Sequence, residues 1–124
     1  MKVGTITVAV GGAGIDLFDK DKYQEYLQSA EVADWLRNYA KEYGGNPYAR
    51  LIELAKMAQQ KGVIKGILLH QGETNNCDPT WPSKVKKIYN DILADLGLDA
   101  KDVPLLVGEL GQKDQGAACW GHNA

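Results

Sequence analysis

The sequence predicts an α/β fold built on a parallel sheet. Three observations predict it: short apolar runs that favour strands, helical periodicity between those runs, and a polar cluster placed abruptly where the middle run stops. The order strand, helices, strand, helix, strand implies right-handed crossovers between parallel strands. Three strands make a thin sheet, and a parallel sheet is normally covered on both faces. The pattern therefore reads as the middle of a larger domain, with residues 1–124 forming one partial unit.

Each element has its own reason. Val3 to Val10 reads as a buried strand because Val3, Ile6, Val8 and Val10 favour β structure and Gly11-Gly12 stop the run. Ser29 followed by Val32, Leu36, Tyr39 and Tyr43 predicts an amphipathic helix with a serine cap, closed by Gly44-Gly45. Trp35, Tyr23 and Tyr26 add aromatic mass that would cover a cleft or, on the plainer reading, pack against the sheet edge. Asn46-Pro47 starts a second helix, a cap residue followed by proline at the first helical position, running to about Gln60. Its apolar face is Tyr48, Leu51, Ile52, Ala55 and Ala58, and Gly62 stops the chain. Val63 to Leu69 is the next strand. Asp78-Pro79 turns the chain into a third helix from about Pro82, whose Val85, Ile88, Tyr89, Ile92, Leu93 and Leu96 keep the helical period until Gly97. Asp102 to Val107 is the last strand, and the tail from Gln112 has no periodicity.

Composition excludes some partners. The apolar fraction is 44% and the formal net charge is -2 with basic residues scattered, so neither nucleic acid nor an anionic membrane is expected as partner. No apolar run approaches a membrane span. Met1 sits directly on core-type sequence, so no signal peptide is expected, and the compartment is not encoded at this end. Cys77 and Cys119 either form one disulfide or remain thiols, depending on compartment.

Loops that follow parallel strands share one sheet edge, where ligands of open α/β sheets bind. Gly11 to Asp16, His70 to Cys77 and Gly108 to Gly116 are therefore expected to converge. Gly11-Gly12-Ala13-Gly14 would expose backbone N–H groups to an anion or oxyanion, or be a turn needing positive φ. It is not a dinucleotide fingerprint, because Leu17 stands where the third glycine belongs, and no phosphate loop with Gly-Lys-Ser/Thr exists. In His70-Gln71-Gly72-Glu73, the Gln71 amide would donate to an oxyanion and Glu73 would orient an imidazole as the acid of a triad. The alternative is a satisfied core histidine beside a solvated glutamate, and a third reading uses His70 and Glu73 as base and acid of another chemistry. His70, Cys77, Cys119 and His122 are zinc-type ligands, but six residues separate His70 from Cys77 where structural zinc sites use close pairs. No metal is expected.

Three stretches carry a family resemblance: Lys2 to Gly12, Ile64 to Asn75, and Lys86 to Gly97 running into Val103 to Gly111. With these in order, the chain resembles the SGNH-type carbohydrate acetylesterases, the sialate O-acetylesterase and acetyl-xylan esterase group of carbohydrate esterase family six. The resemblance implies a three-layer flavodoxin-like parallel sheet, here without its first strand and last strand-helix unit. It implies a serine nucleophile in a Gly-Gln-Ser-Asn type block and a histidine in an Asp-x-x-His block. Carried onto this sequence, Gln71 is an oxyanion donor, Gly11 or Gly12 a backbone oxyanion donor, Glu73 a candidate triad acid, and His70 and Asn75 contacts to the sugar.

The departures are specific. The serines, Ser29 and Ser83, lie in no nucleophile block, and Cys119 stands where an Asp-x-x-His ending at His122 would need aspartate. The family's Gly-Gly-Thr-Ser-Ile appears as Gly11-Gly12-Ala13-Gly14-Ile15. The resemblance thus implies part of a cofactor-free serine esterase of acetylated saccharides, inactive in isolation. The alternative is a non-catalytic saccharide-binding or assembly module that self-associates through an exposed sheet edge.

Overall fold

Asn46 accepts the Ala49 N–H on its side chain and Pro47 occupies the first turn, so a helix begins there as the capping chemistry requires. The computed structural model describes residues 1–75 and 77–116. Among these, the chain runs through a 3-10 turn at Ile15–Phe18, helices α1 (Tyr23–Gln28), α2 (Asp34–Lys41) and α3 (Pro47–Gln59), and strand β1 (Ile67–Leu69). Helix α4 (Trp81–Leu96), strand β2 (Leu105–Val107) and a second 3-10 turn at Lys113–Gln115 follow. No helix among the described residues is long and apolar enough to cross a membrane.

The fold is mixed α/β, with four helices and a small parallel sheet among the described residues. β1 and β2 pair with Ile67 opposite Leu105 and Leu69 opposite Val107. The ladder continues one bond past each end, from Ile67 N–H to Pro104 O at 3.0 Å and from Gly108 N–H to Leu69 O at 2.8 Å. α4 is the crossover that parallel pairing demands. Side chains of a strand alternate between faces: Ile67, Leu69 and Leu105 pack on the core, while Leu68 and Leu106 remain 76% and 59% exposed.

Two cores hold the molecule. The first joins α3 to α4 through Tyr48, Ile52, Ala55, Trp81, Val85, Ile88, Ile92 and Leu96, with Ile15 inserted from the first 3-10 turn. Each such aliphatic residue is worth about 2 kcal/mol when fully buried. The second gathers Val10, Ala13, Leu17, Val32, Leu36 and Ala40, and Phe18 packs against both. Alternate residues of the 15–18 turn thus enter different cores, which fixes the preceding glycine bend between them. Gly97 ends α4 at φ 66°, a left-handed cap that suits a residue without Cβ.

Three expectations need correction. Residues 1–9 form no strand: they carry no regular structure and are mostly exposed, with Val3 at 82%. β-favouring residues record a local preference, whereas a strand also needs a partner for its backbone groups. Here Val10 is drawn into the second core, and Tyr43 Oη donates to Ala9 O. The described sheet therefore has two strands rather than three. Second, Ser29 caps no helix start. It terminates α1, and α2 begins five residues later with Ala33 at the cap position. Third, the strands expected over 63–69 and 102–107 pair over three residues each. Pro104 has no N–H to extend the ladder and Val63 is 75% exposed.

Candidate active site

The glycine bend and the loop after β1 meet, and their contact is made of hydrogen bonds. Gln71 Nε2 donates to Ala13 O at 3.1 Å and to Asn75 Oδ1 at 2.7 Å. The Ile15 N–H donates to the same Asn75 Oδ1 at 2.7 Å. Trp81, buried in the first turn of α4, donates its indole N–H to Gln71 Oε1 at 2.5 Å. An indole N–H can only donate, so the Gln71 oxygen must face it and the amide hydrogens must face the bend. Both amide hydrogens of Gln71 are therefore committed within the protein. Asn75, expected to contact sugar, holds two donors from two segments.

The bend itself stays open. Gly14 N–H donates to Tyr26 Oη at 2.8 Å and Ala13 N–H to Val10 O at 3.4 Å. Gly11 and Gly12 are exposed, and among the described residues no acceptor receives their N–H groups. Gly12 adopts φ +73°, and a Cβ built there would lie 2.9 Å from Trp35 Cη2. The backbone conformation favours glycine, and an added Cβ would in addition displace the tip of the indole.

His70 follows β1 directly. A Cβ built on Gly108, the residue after β2, would lie 3.0 Å from His70 Nδ1, so the imidazole sits at the C-terminal edge of the strand pair. His70 Nε2 stands 3.6 Å from Glu73 Oε1, and both side chains are largely exposed, at 75% and 65%. His70 is thus not a core histidine. Neither described serine hydroxyl bonds to it: Ser83 Oγ donates to Thr80 O, and Ser29 Oγ accepts the Glu31 N–H.

Two lysines of α4 clasp the loops, and sequence reading missed both. Lys84 Nζ reaches Asp16 at 3.3 Å and Asp78 at 3.0 Å, one carboxylate from each converging loop. Lys87 Nζ lies 2.6 Å from both Asp19 and Asp21 and 2.8 Å from Asp91. Asp19 is buried, and Asp21 N–H also donates to it. A readable signal existed. Asp16 and Asp19, in and just after the first 3-10 turn, are three apart, and Lys84 and Lys87 are three apart on α4, so one row faces the other.

The charges respond to this packing. Burial alone would raise the Asp19 pKa, but the Lys87 ammonium and the Asp21 N–H outweigh it and hold it below its ordinary 3.8. The Thr80 hydroxyl and N–H, then Lys84, hold Asp78 well below its ordinary value. Burial would lower Lys84 and Lys87, yet their carboxylate partners raise both above 10.5. Asp19, Asp21 and Asp91 bring carboxylate oxygens within 4.8 Å of one another, the spacing of a metal site. The Lys87 ammonium already occupies that cation position.

A groove of about 530 Å³ lies between α3 and the end of α4, lined by Lys20, Tyr48 and Asp95 among others. It shares no residue with the converging loops. Cys77 is exposed. Cys119 and His122, and with them the disulfide and zinc considerations, lie outside the described residues.

No solved structure gives a significant match to this chain. A family model described as carbohydrate esterase, sialic acid-specific acetylesterase, matches residues 1–123. Those residues take in both loops of the site, and the chain belongs to this carbohydrate esterase family.

Proposed function

We propose that this chain forms the oxyanion side of a carbohydrate O-acetylesterase site, in a sheet of the three-layer flavodoxin-like SGNH type. One observation carries the reading: the glycine bend and the loop after β1 form a single hydrogen-bonded unit, and among the described residues no acceptor receives the Gly11 and Gly12 N–H groups. Backbone donors held rigidly in this way stabilise charge that develops on a carbonyl oxygen.

In the complete reaction, a serine hydroxyl attacks the acetyl carbonyl while a histidine takes its proton. The tetrahedral oxyanion meets the Gly11 and Gly12 N–H groups. Its collapse expels the sugar hydroxyl, which receives the proton from the histidine. Water, deprotonated by the same histidine, then attacks the acyl-serine and releases acetate. Gln71 acts here as a positioning residue, since its amide hydrogens fix the bend against Asn75. Glu73 remains the candidate acid, with His70 and Asn75 at the sugar's side of the loop. Ser29 and Ser83 serve their own turns, so the nucleophile and the base histidine come from family blocks that this sequence does not contain.

The test is incubation with 4-nitrophenyl acetate and, separately, titration with an acetylated xylo-oligosaccharide. Binding without turnover above a Gln71→Ala control is expected, because loss of the triad removes most of the catalysis. Turnover clearly above that control would contradict the assignment of the missing groups.

A second reading, a non-catalytic saccharide-binding or assembly module, is favoured by the bare sheet face at Leu68 and Leu106. Sedimentation that finds a defined oligomer, dispersed by Leu106→Asp, would favour it, and a monomer would remove its assembly part.

A further inference from the structure

We propose that the exposed indole of Trp35 is a saccharide platform of this same site, stacking on the C–H face of the pyranose whose acetyl ester reaches the Gly11-Gly12 bend. The proposal rests on the acetylesterase reading above and names the side chain that holds the sugar ring.

α2 carries two stripes one helical turn long. Leu36 and Ala40 are 3% and 0% exposed and enter the second core. Trp35 and Tyr39, also four residues apart, are 58% and 44% exposed. The core contacts of α2 come from its other stripe, which leaves this aromatic pair free to meet a ligand. Its position is specific. The Cη2 tip of the Trp35 ring lies so close to Gly12 that an added Cβ would be at 2.9 Å, while the residue as a whole is more than half exposed. The indole tip therefore adjoins Gly12, one of the two bend residues whose N–H groups find no acceptor among the described residues.

The chemistry suits a pyranose. An aromatic face is electron-rich and apolar, which matches the row of polarised C–H bonds on one side of a sugar ring. The ring hydroxyls, directed sideways, keep their bonds to water. A ring laid on Trp35 would have its acyl substituent beside the bend, and stacking would fix the ester's orientation without using any hydrogen bond of the Gln71–Asn75 unit.

The experiment uses the full chain, an acetylated xylo-oligosaccharide and an O-acetylated sialoside, followed by calorimetry and by the Trp35 indole and Gly11 and Gly12 amide resonances. Trp35→Ala is expected to weaken binding by about tenfold, and Trp35→Phe, which keeps a stacking face, by less than about threefold. Both variants should melt near the parent. The two sugars separate a neutral pentose from an anionic nonulosonate, and binding of either through Trp35 supports the platform. Unchanged affinity in Trp35→Ala, with Gly11 and Gly12 still shifting, would overturn the platform and leave the site reading intact. Sugar that moves neither the indole nor the glycine amides would overturn both. Should Trp35→Ala unfold, the shift of the native Trp35 indole decides in either direction.

Discussion

Asn75 Oδ1 accepts the backbone N–H of Ile15 at 2.7 Å across sixty positions of sequence. The same oxygen receives the Gln71 amide, so one atom joins the bend after residue 10 to the loop after β1. Ile15 is buried in the main core, and shortening Asn75 removes the acceptor of its N–H. Asn75→Ala is therefore expected to cost about 1–3 kcal/mol, the range for stranding a buried donor. Asn75→Asp keeps the oxygen acceptor and should cost less. Urea unfolding of the three proteins checks the order, and equal stability of Asn75→Ala and the parent would mean that the bond is not formed.

Lys87 neutralises three carboxylates, one of them buried. Lys87→Met leaves Asp19 without its cation. The expected loss is about 2 kcal/mol, between the limits for exposed and buried pairs because the lysine is itself partly exposed. Thermal melting measures it. The same variant opens the carboxylate cluster, so calcium should raise its melting temperature and leave the parent unchanged.

The four shifted charges of the lysine clasps set a pH window. Asp19 and Asp78 lie below 3.8 when folded, so their stabilisation is complete above that value and is lost as the pH falls through the folded pKa values. Lys84 and Lys87 lie above 10.5 when folded, so their stabilisation is complete below 10.5 and is lost as the pH rises through the folded values. These groups leave stability flat between about pH 5 and pH 10. Melting curves across that range and below it test this, and Lys87→Met should show a shallower fall on the acid side.

Gly12→Ala meets two obstacles, a positive φ and the Trp35 ring. It should destabilise by about 1–2 kcal/mol. In Gly12→Ala/Trp35→Ala the steric part disappears and the backbone part persists, so the double variant should recover part of the loss. A purely additive result would mean that the indole does not rest on the bend.

The sequence made some of this legible because the signals were local. Asn46-Pro47 fixes the start of α3 and Gly97 the end of α4, since caps act within a few residues. The meeting of the glycine bend with His70 to Asn75 was also readable, from the rule that loops after parallel strands share an edge. That inference reached the right contact although its first strand does not form. Val3 to Val10 misled because β preference names no partner. Ser29 misled because a serine that ends one helix looks, in sequence, like one that starts the next. The Gln71 amide was read by residue type alone, and only the Trp81 indole beside it reveals which way its hydrogens face. The lysine clasps were missed because Asp16 and Asp19 lie 68 positions from Lys84 and Lys87, so the matching three-residue spacings signal a contact only when the two distant segments are compared.

The most direct measurement is a residue-resolved amide titration of the chain with an acetylated xylo-oligosaccharide. If the bend and the strand-end loop form one site, Gly11, Gly12 and the His70 to Asn75 amides shift together with a single dissociation constant. Shifts confined to one of the two loops, or centred on the bare face at Leu68 and Leu106, would contradict it.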